Sequence, residues 1–271
     1  MAATLTLAAQ NFLNIDGGQR AAAFAYSAFF ALFPLILLLV SLASVFFDKA
    51  TAGTAVIGYI EKYLPLSGEV QQHLFDTVLR VARTRGQAGI LAFAMLTWAA
   101  MQFFTTLVHA TNRAWGTGGH NWWRSPLKNL TLLAMMIVAV LVGVAVPVLG
   151  KMARSIFHTA VFFPWAYSLW VLFVPWLVLF FGLSLFYKLA PRRRTTFPEV
   201  WLPALIATLL LHAAQNLFVL YLKHFSALTA VYGAFGGVIA LMLWIYVSGM
   251  IFIFGACLCA AQAAAGAKAA D

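Results

Sequence analysis

Polar and apolar positions divide coarsely along this chain, with long apolar runs separated by short polar or basic connectors. Runs free of Asp, Glu, Lys and Arg occupy about 24–47, 88–110, 129–150, 167–187, 200–222 and 231–261. Each reaches or exceeds the ~20 residues a helix needs to cross bilayer hydrocarbon. The runs are continuous rather than alternating with a period of two, which argues for helices and against a transmembrane barrel. The expected fold class is all-α: one polytopic membrane domain over 1–271 with six transmembrane helices. The stretch 48–87 breaks the pattern, because it carries Asp48, Glu61, Glu69 and Asp76. There Val70, Leu74, Val78 and Ala82 recur at helical spacing behind Ser67, a residue suited to an N-cap. It is too polar to span and reads as an extramembrane amphipathic hairpin on the periplasmic side, divided near Pro65. Residues 1–20 read as an amphipathic lead with Leu5, Phe12 and Ile15 at the membrane surface.

The last run, Val231 to Ala261, organises the rest. It opens on Gly233, Gly236 and Gly237, and Gly233-x-x-x-Gly237 is a small-xxx-small pair. Such glycines admit a neighbouring helix closely or let the backbone loosen. Both a plain packing helix and a helix with an unwound first turn lining a pathway fit them. Pro34, near the middle of the first run, removes a helical hydrogen bond and favours a kink.

Composition strengthens the membrane assignment. Of 271 residues, 63% are hydrophobic and only 9% charged, far from the balance of a soluble domain. The net charge of +10 would suggest nucleic acid in a soluble protein. Here the basic residues sit in connectors, where orientation and anionic lipid headgroups explain them, so no nucleic-acid partner is expected. With the amino terminus inside, Arg20, Arg113, Arg124, Lys128, Lys188, Arg192, Arg193, Arg194 and Lys268 fall on the cytoplasmic side. Both termini are therefore expected there. The first run is much longer than a signal-peptide core and reads as an uncleaved span. Cys257 and Cys259, two apart on a helix, point to different sides, which disfavours a mutual disulfide or a shared metal.

The chemistry expected is limited by the absence of charge from every run, because intramembrane charges usually mark ion and proton pathways. Neutral polar groups remain. His212, Gln215 and Asn216 share a helical face, with Gln102, Tyr26 and Tyr246 as candidate partners from other spans. They serve either as interhelical hydrogen-bond glue or as a substrate-contacting patch. Arg113, beside Asn112 and Trp115, and the run Arg192, Arg193, Arg194 are candidates for anionic headgroup contact as well as for interfacial anchoring. No metal or other cofactor is expected.

Three stretches carry a family resemblance. They are Ala21 to Leu39 (AAAFAYSAFFALFPLILLL), Asn112-Arg113-Ala114-Trp115-Gly116, and Tyr232-Gly-Ala-Phe-Gly-Gly-Val-Ile with Leu243-Trp244-Ile245-Tyr246 and Gly255-Ala256. In this order, over most of the chain, they resemble the YihY/BrkB family of bacterial inner-membrane proteins. The resemblance implies a multi-pass inner-membrane architecture, and lipid-linked envelope roles. It also implies a Glu after Gly255-Ala256, where this chain has Cys257. Some family members carry a ribonuclease BN label. The cytoplasmic acids Asp16, Glu199 and Asp271 are far apart and the six histidines lack ligand spacing, so nuclease chemistry has no support in these residues. The function expected is non-enzymatic: transport or flippase-like handling of a lipid or small amphiphilic or organic solute through a polar-lined groove. The alternative is a non-transporting envelope scaffold that binds lipid or a partner protein. Membrane lipids are the expected partners, and homo-oligomerisation stays open.

Overall fold

The computed structural model describes residues 2–43, 87–117, 130–138, 164–224 and 234–270. The described residues are helical, with no strand among them. The helices are α1 (Ala2–Asn14), α2 (Gly17–Ala43), α3 (Gln87–Ala114), α4 (130–138), α5 (Pro164–Leu189), α6 (Phe197–His224) and α7 (Ala234–Ala270). The expected hairpin over 48–87 lies outside the described residues, apart from Gln87, which opens α3.

Two helices are long and apolar enough to cross a membrane among the described residues: α6 over Phe197–Leu222 and α7 over Gly236–Gly266. At ~1.5 Å per residue, the 37 residues of α7 far exceed the ~30 Å of bilayer hydrocarbon. Outside, α5 presents Phe173, Leu177, Phe181, Leu185 and Leu189 at intervals of four, all exposed. On α6, Trp201, Leu205 and Leu209 do the same. An apolar stripe of this extent would be a liability in water; against lipid tails it is compatible with the solvent.

The last apolar run does occupy the centre. α7 packs against α1, α2, α3 and α6, and small residues set how close its neighbours come. The ring of Phe24 on α2 lies over Gly249, so that a Cβ at that glycine would collide with it. Tyr187 on α5 is fully buried, and its hydroxyl fills the space beside Gly255 and donates to the Phe252 carbonyl at 2.9 Å. The Gly255-Ala256 element is thus a seat for a tyrosine. On α2, Ala21, Phe24, Ala25, Ala28 and Ala31 form the buried stripe, at the i, i+3, i+4, i+7 spacing of one helical face. Ser27 reaches across to α3, where Thr106 Oγ1 donates to its hydroxyl at 3.2 Å.

Three expectations change. The backbone at Gly236 and Gly237 is already regular helix, since α7 begins at Ala234; neither marks an unwound turn, and Gly233 lies outside the described residues. The cause is that a broken turn in hydrocarbon leaves amide groups unpaired at several kcal/mol each, more than the ~1 kcal/mol by which glycine disfavours helix. Residues 2–14 are a docked helix rather than a surface lead: Phe12 meets Phe254 edge-on at 6.2 Å and Ala8 is fully buried, although Leu5 stays exposed. Tyr26 points outward, 62% exposed and against Phe30, because the alanine stripe of α2 takes the inward face. α2 continues through Pro34 as one helix to Ala43.

Candidate functional site

Among the described residues, a dense arrangement of polar groups lies where the α1–α2 turn, the end of α3 and the α5–α6 connection meet. α3 ends in a Schellman motif. Gly116 N–H donates to the Arg113 carbonyl and Thr117 N–H to the Asn112 carbonyl, both at 3.0 Å, with Gly116 at φ +65°. Glycine is favoured at that position because a Cβ is strained at positive φ. The five-residue motif Asn112 to Gly116 is therefore, in the first instance, a helix terminator.

Asn112 has a second function. Its amide Nδ2 donates to Val108 O at 2.8 Å and to Ala190 O at 3.4 Å. Its Oδ1 accepts from Arg192 N–H at 2.9 Å and from Thr117 Oγ1 at 3.1 Å. A single buried side chain thereby fastens the α5–α6 connection to the end of α3. Thr195 Oγ1 closes the same connection onto Lys188 O at 2.8 Å. α6 then starts with Thr196 N–H donating to Glu199 Oε2 at 2.8 Å, one half of a capping box. The other oxygen of Glu199 takes Arg193 at 2.9 Å, and the Arg193 guanidinium also lies 5.1 Å from the Trp115 ring centre. Gln262 on α7 donates to Pro198 O at 3.0 Å, tying that helix to the same place.

Beside this knot is a half-open cleft of about 450 Å³ lined by Asn14, Ile15, Asp16, Arg20, Arg113 and Gly116. The chain folds this way because α1 ends at Asn14 and Asp16 takes a left-handed turn (φ 53°), which Asp tolerates better than most residues. Arg20 Nε donates to Ile15 O at 2.6 Å, and Asn11 Nδ2 to Ala114 O at 2.8 Å. The turn and the end of α3 are thus fixed to each other, with Arg20 on one side of the cleft and Arg113 on the other. Among the described residues Arg193–Glu199 is the only ion pair. Asp16, Arg20 and Arg113 all line the cleft, and no ion pair joins them.

The sequence-predicted residues are distributed differently. His212 stacks on Trp176, ring centres 3.8 Å apart at 15°, and its Nε2 is enclosed without a hydrogen-bond partner among the described residues. Gln215 is half-buried, whereas Asn216 and Gln102 are exposed. Tyr246 has its hydroxyl against Gly18, at the start of α2. No hydrogen bond joins His212 to Gln102, Tyr26 or Tyr246 among the described residues. Of the headgroup candidates, Arg113 faces the cleft and Arg192 and Arg194 are exposed, while Arg193 is engaged by Glu199 and Trp115. Asp16 and Arg20 were not singled out from sequence as site residues. The available signal was the breaker Asp16-Gly17-Gly18, which places a turn but not what faces it.

Among the described residues, helices with outward apolar stripes and a charged junction have the build of an integral membrane protein. The comparisons agree and go further. The family model for virulence factor BrkB matches residues 8–270, so the chain belongs to the BrkB family, as its three motifs indicated. The chain is 27% identical over 249 residues to the ribonuclease-like protein YfkH of Bacillus subtilis (strain 168), covering 89% of this chain and 88% of that one. It is 28% identical over 254 residues to a UPF0761 membrane protein of Azotobacter vinelandii, covering 91% of this chain but 60% of the relative. A UPF0761 membrane protein of Vibrio campbellii is 24% identical over 248 residues, with 90% and 76% covered. No solved structure matches the chain.

Proposed function

We propose that this membrane protein binds and handles an amphiphile with a charged headgroup, as a six-span inner-membrane protein without enzymatic activity. The observation that carries this reading is the cleft at the end of α3, where Arg20 and Arg113 face about 450 Å³ of open space. That volume lies within the ~300–1,000 Å³ typical of small-molecule sites. Guanidinium groups are suited to phosphate because their donors match two oxygens at once. Arg192 and Arg193 meet the same end of α3 through Asn112 and Trp115, and a basic edge of this kind belongs at the cytoplasmic headgroup layer by the positive-inside rule. That orientation puts both termini in the cytoplasm and 48–87 on the far side. The scattered acids Asp16, Glu199 and Asp271 give a hydrolytic nuclease no metal-holding cluster to use.

The competing reading is a scaffold that holds lipid at this cleft without moving it. It is favoured by the close packing of α7, where Ile253, Ala256, Cys257 and Cys259 are all fully buried. Reconstitution in vesicles separates the two: a handler accelerates exchange of a labelled phospholipid between leaflets, whereas a scaffold retains lipid without exchange. For binding itself, Arg113→Gln at this exposed position should lower phospholipid retention in native mass spectrometry while the melting temperature holds. Equal retention by both proteins would remove the cleft from the account. Orientation is tested by membrane-impermeant thiol labelling of intact cells. A cysteine replacing Gly68 should react and one replacing Arg194 should not; Cys257 and Cys259 are buried and give little background.

A further inference from the structure

Charge in the cleft is not of one sign. Asp16 lines the same cleft as Arg20 and Arg113, and no ion pair joins them. Backbone contacts fix where both residues start. Arg20 is held by its Nε–H on the Ile15 carbonyl at 2.6 Å, which leaves its remaining N–H groups for another acceptor. Asp16 is fixed at a left-handed turn between two helices, its backbone carbonyl accepting from the backbone N–H of Arg20 at 3.1 Å. A cleft meant only for an anion gains nothing from a carboxylate, which repels the ligand. Opposite charges that line one cleft without pairing fit a ligand that carries both. We infer that the cleft recognises a phosphate ester bearing an ammonium group, with the phosphate at Arg20 and Arg113 and the ammonium at Asp16. This rests on the headgroup reading above and narrows it to phosphoethanolamine chemistry.

The alternative role for Asp16 is structural, as the residue that tolerates the turn. Asparagine tolerates left-handed backbone equally well, so Asp16→Asn removes the charge and keeps the turn. The full-length protein in mild detergent is titrated with short-chain phosphatidylethanolamine and with phosphatidylglycerol, followed by native mass spectrometry. Wild type should hold the ethanolamine lipid about tenfold more tightly, the scale of one charge-assisted contact. Asp16→Asn should erase that preference by weakening the ethanolamine lipid alone, and Arg113→Gln should weaken both lipids. Soluble phosphoethanolamine is the competitor that identifies the source. Displacement of the lipid assigns the site to headgroup chemistry free in solution, and lack of displacement assigns it to the lipid form; both uphold the pairing with Asp16. Equal affinity of wild type for the two lipids, or an equal loss of both in Asp16→Asn, overturns the inference and leaves an anionic headgroup site. Failure of wild type to retain either lipid overturns the headgroup reading itself.

Discussion

Asn112 and His212 are both polar residues on long helices, yet the molecule uses them in opposite ways. Asn112 is nearly fully buried and makes contacts with Val108, Ala190, Arg192 and Thr117 through its amide. His212 is half-buried, has a ring stacked on Trp176 and an enclosed nitrogen that bonds to nothing among the described residues. The first is a fastener between segments about 80 residues apart. The second contributes a flat ring. Polar character on a long apolar helix therefore predicts little until its partners are known.

The comparison can be broken most severely at a satisfied bond. Gly255→Leu drives a side chain into the Tyr187 hydroxyl and displaces it from the Phe252 carbonyl. Overpacking and a lost buried hydrogen bond together should cost about 3 kcal/mol or more, read as little folded protein on size-exclusion chromatography. Gly266→Leu, with open space around it, should elute like wild type. If both variants fold alike, the tyrosine seat is not a determinant of the fold.

Next in size is the fastener. Asn112→Leu leaves Arg192 N–H and the Ala190 carbonyl without that partner, which should cost about 2 kcal/mol. The melting temperature in detergent should fall, and proteolysis should open first in the 190–196 connection. A melting curve unchanged from wild type would show that the clamp adds nothing.

A smaller effect is expected at the helix terminator. Gly116 has nothing within reach of an added Cβ, so Gly116→Ala isolates the backbone strain at φ +65°, about 1 kcal/mol. A loss well above that in thermal melting would mean the glycine does more than end α3.

The smallest shift should come at His212, and its sign is informative. His212→Phe keeps a ring against Trp176 and removes a buried nitrogen that has no partner, a change that is near neutral or stabilising. The variant should melt no lower than wild type. A clear drop would mean that the nitrogen is bonded in the membrane and that the patch with Gln215 and Asn216 has to be reconsidered.

The sequence by itself determined the all-helical membrane class, the membership of the BrkB family and the central place of the last apolar run. These depend on local quantities: the length of apolar runs against bilayer thickness, and motifs read in order along the chain. The left-handed turns at Asp16 and Gly116 went unread, although Asp and Gly are residue types that tolerate positive φ. The sequence left Gly236 and Gly237 open between a packing helix and an unwound turn, and the helix that runs through both follows from the need to pair backbone amides in hydrocarbon, which outweighs glycine's weak helix propensity. Only the tertiary structure decided what the polar side chains do. Asn112 meets Ala190 and Arg192, Tyr187 meets Phe252, and Arg20 shares a cleft with Arg113. Each of these pairs is separated by dozens of residues, and a hydrogen bond depends on a few tenths of an ångström between helices whose packing no local pattern encodes.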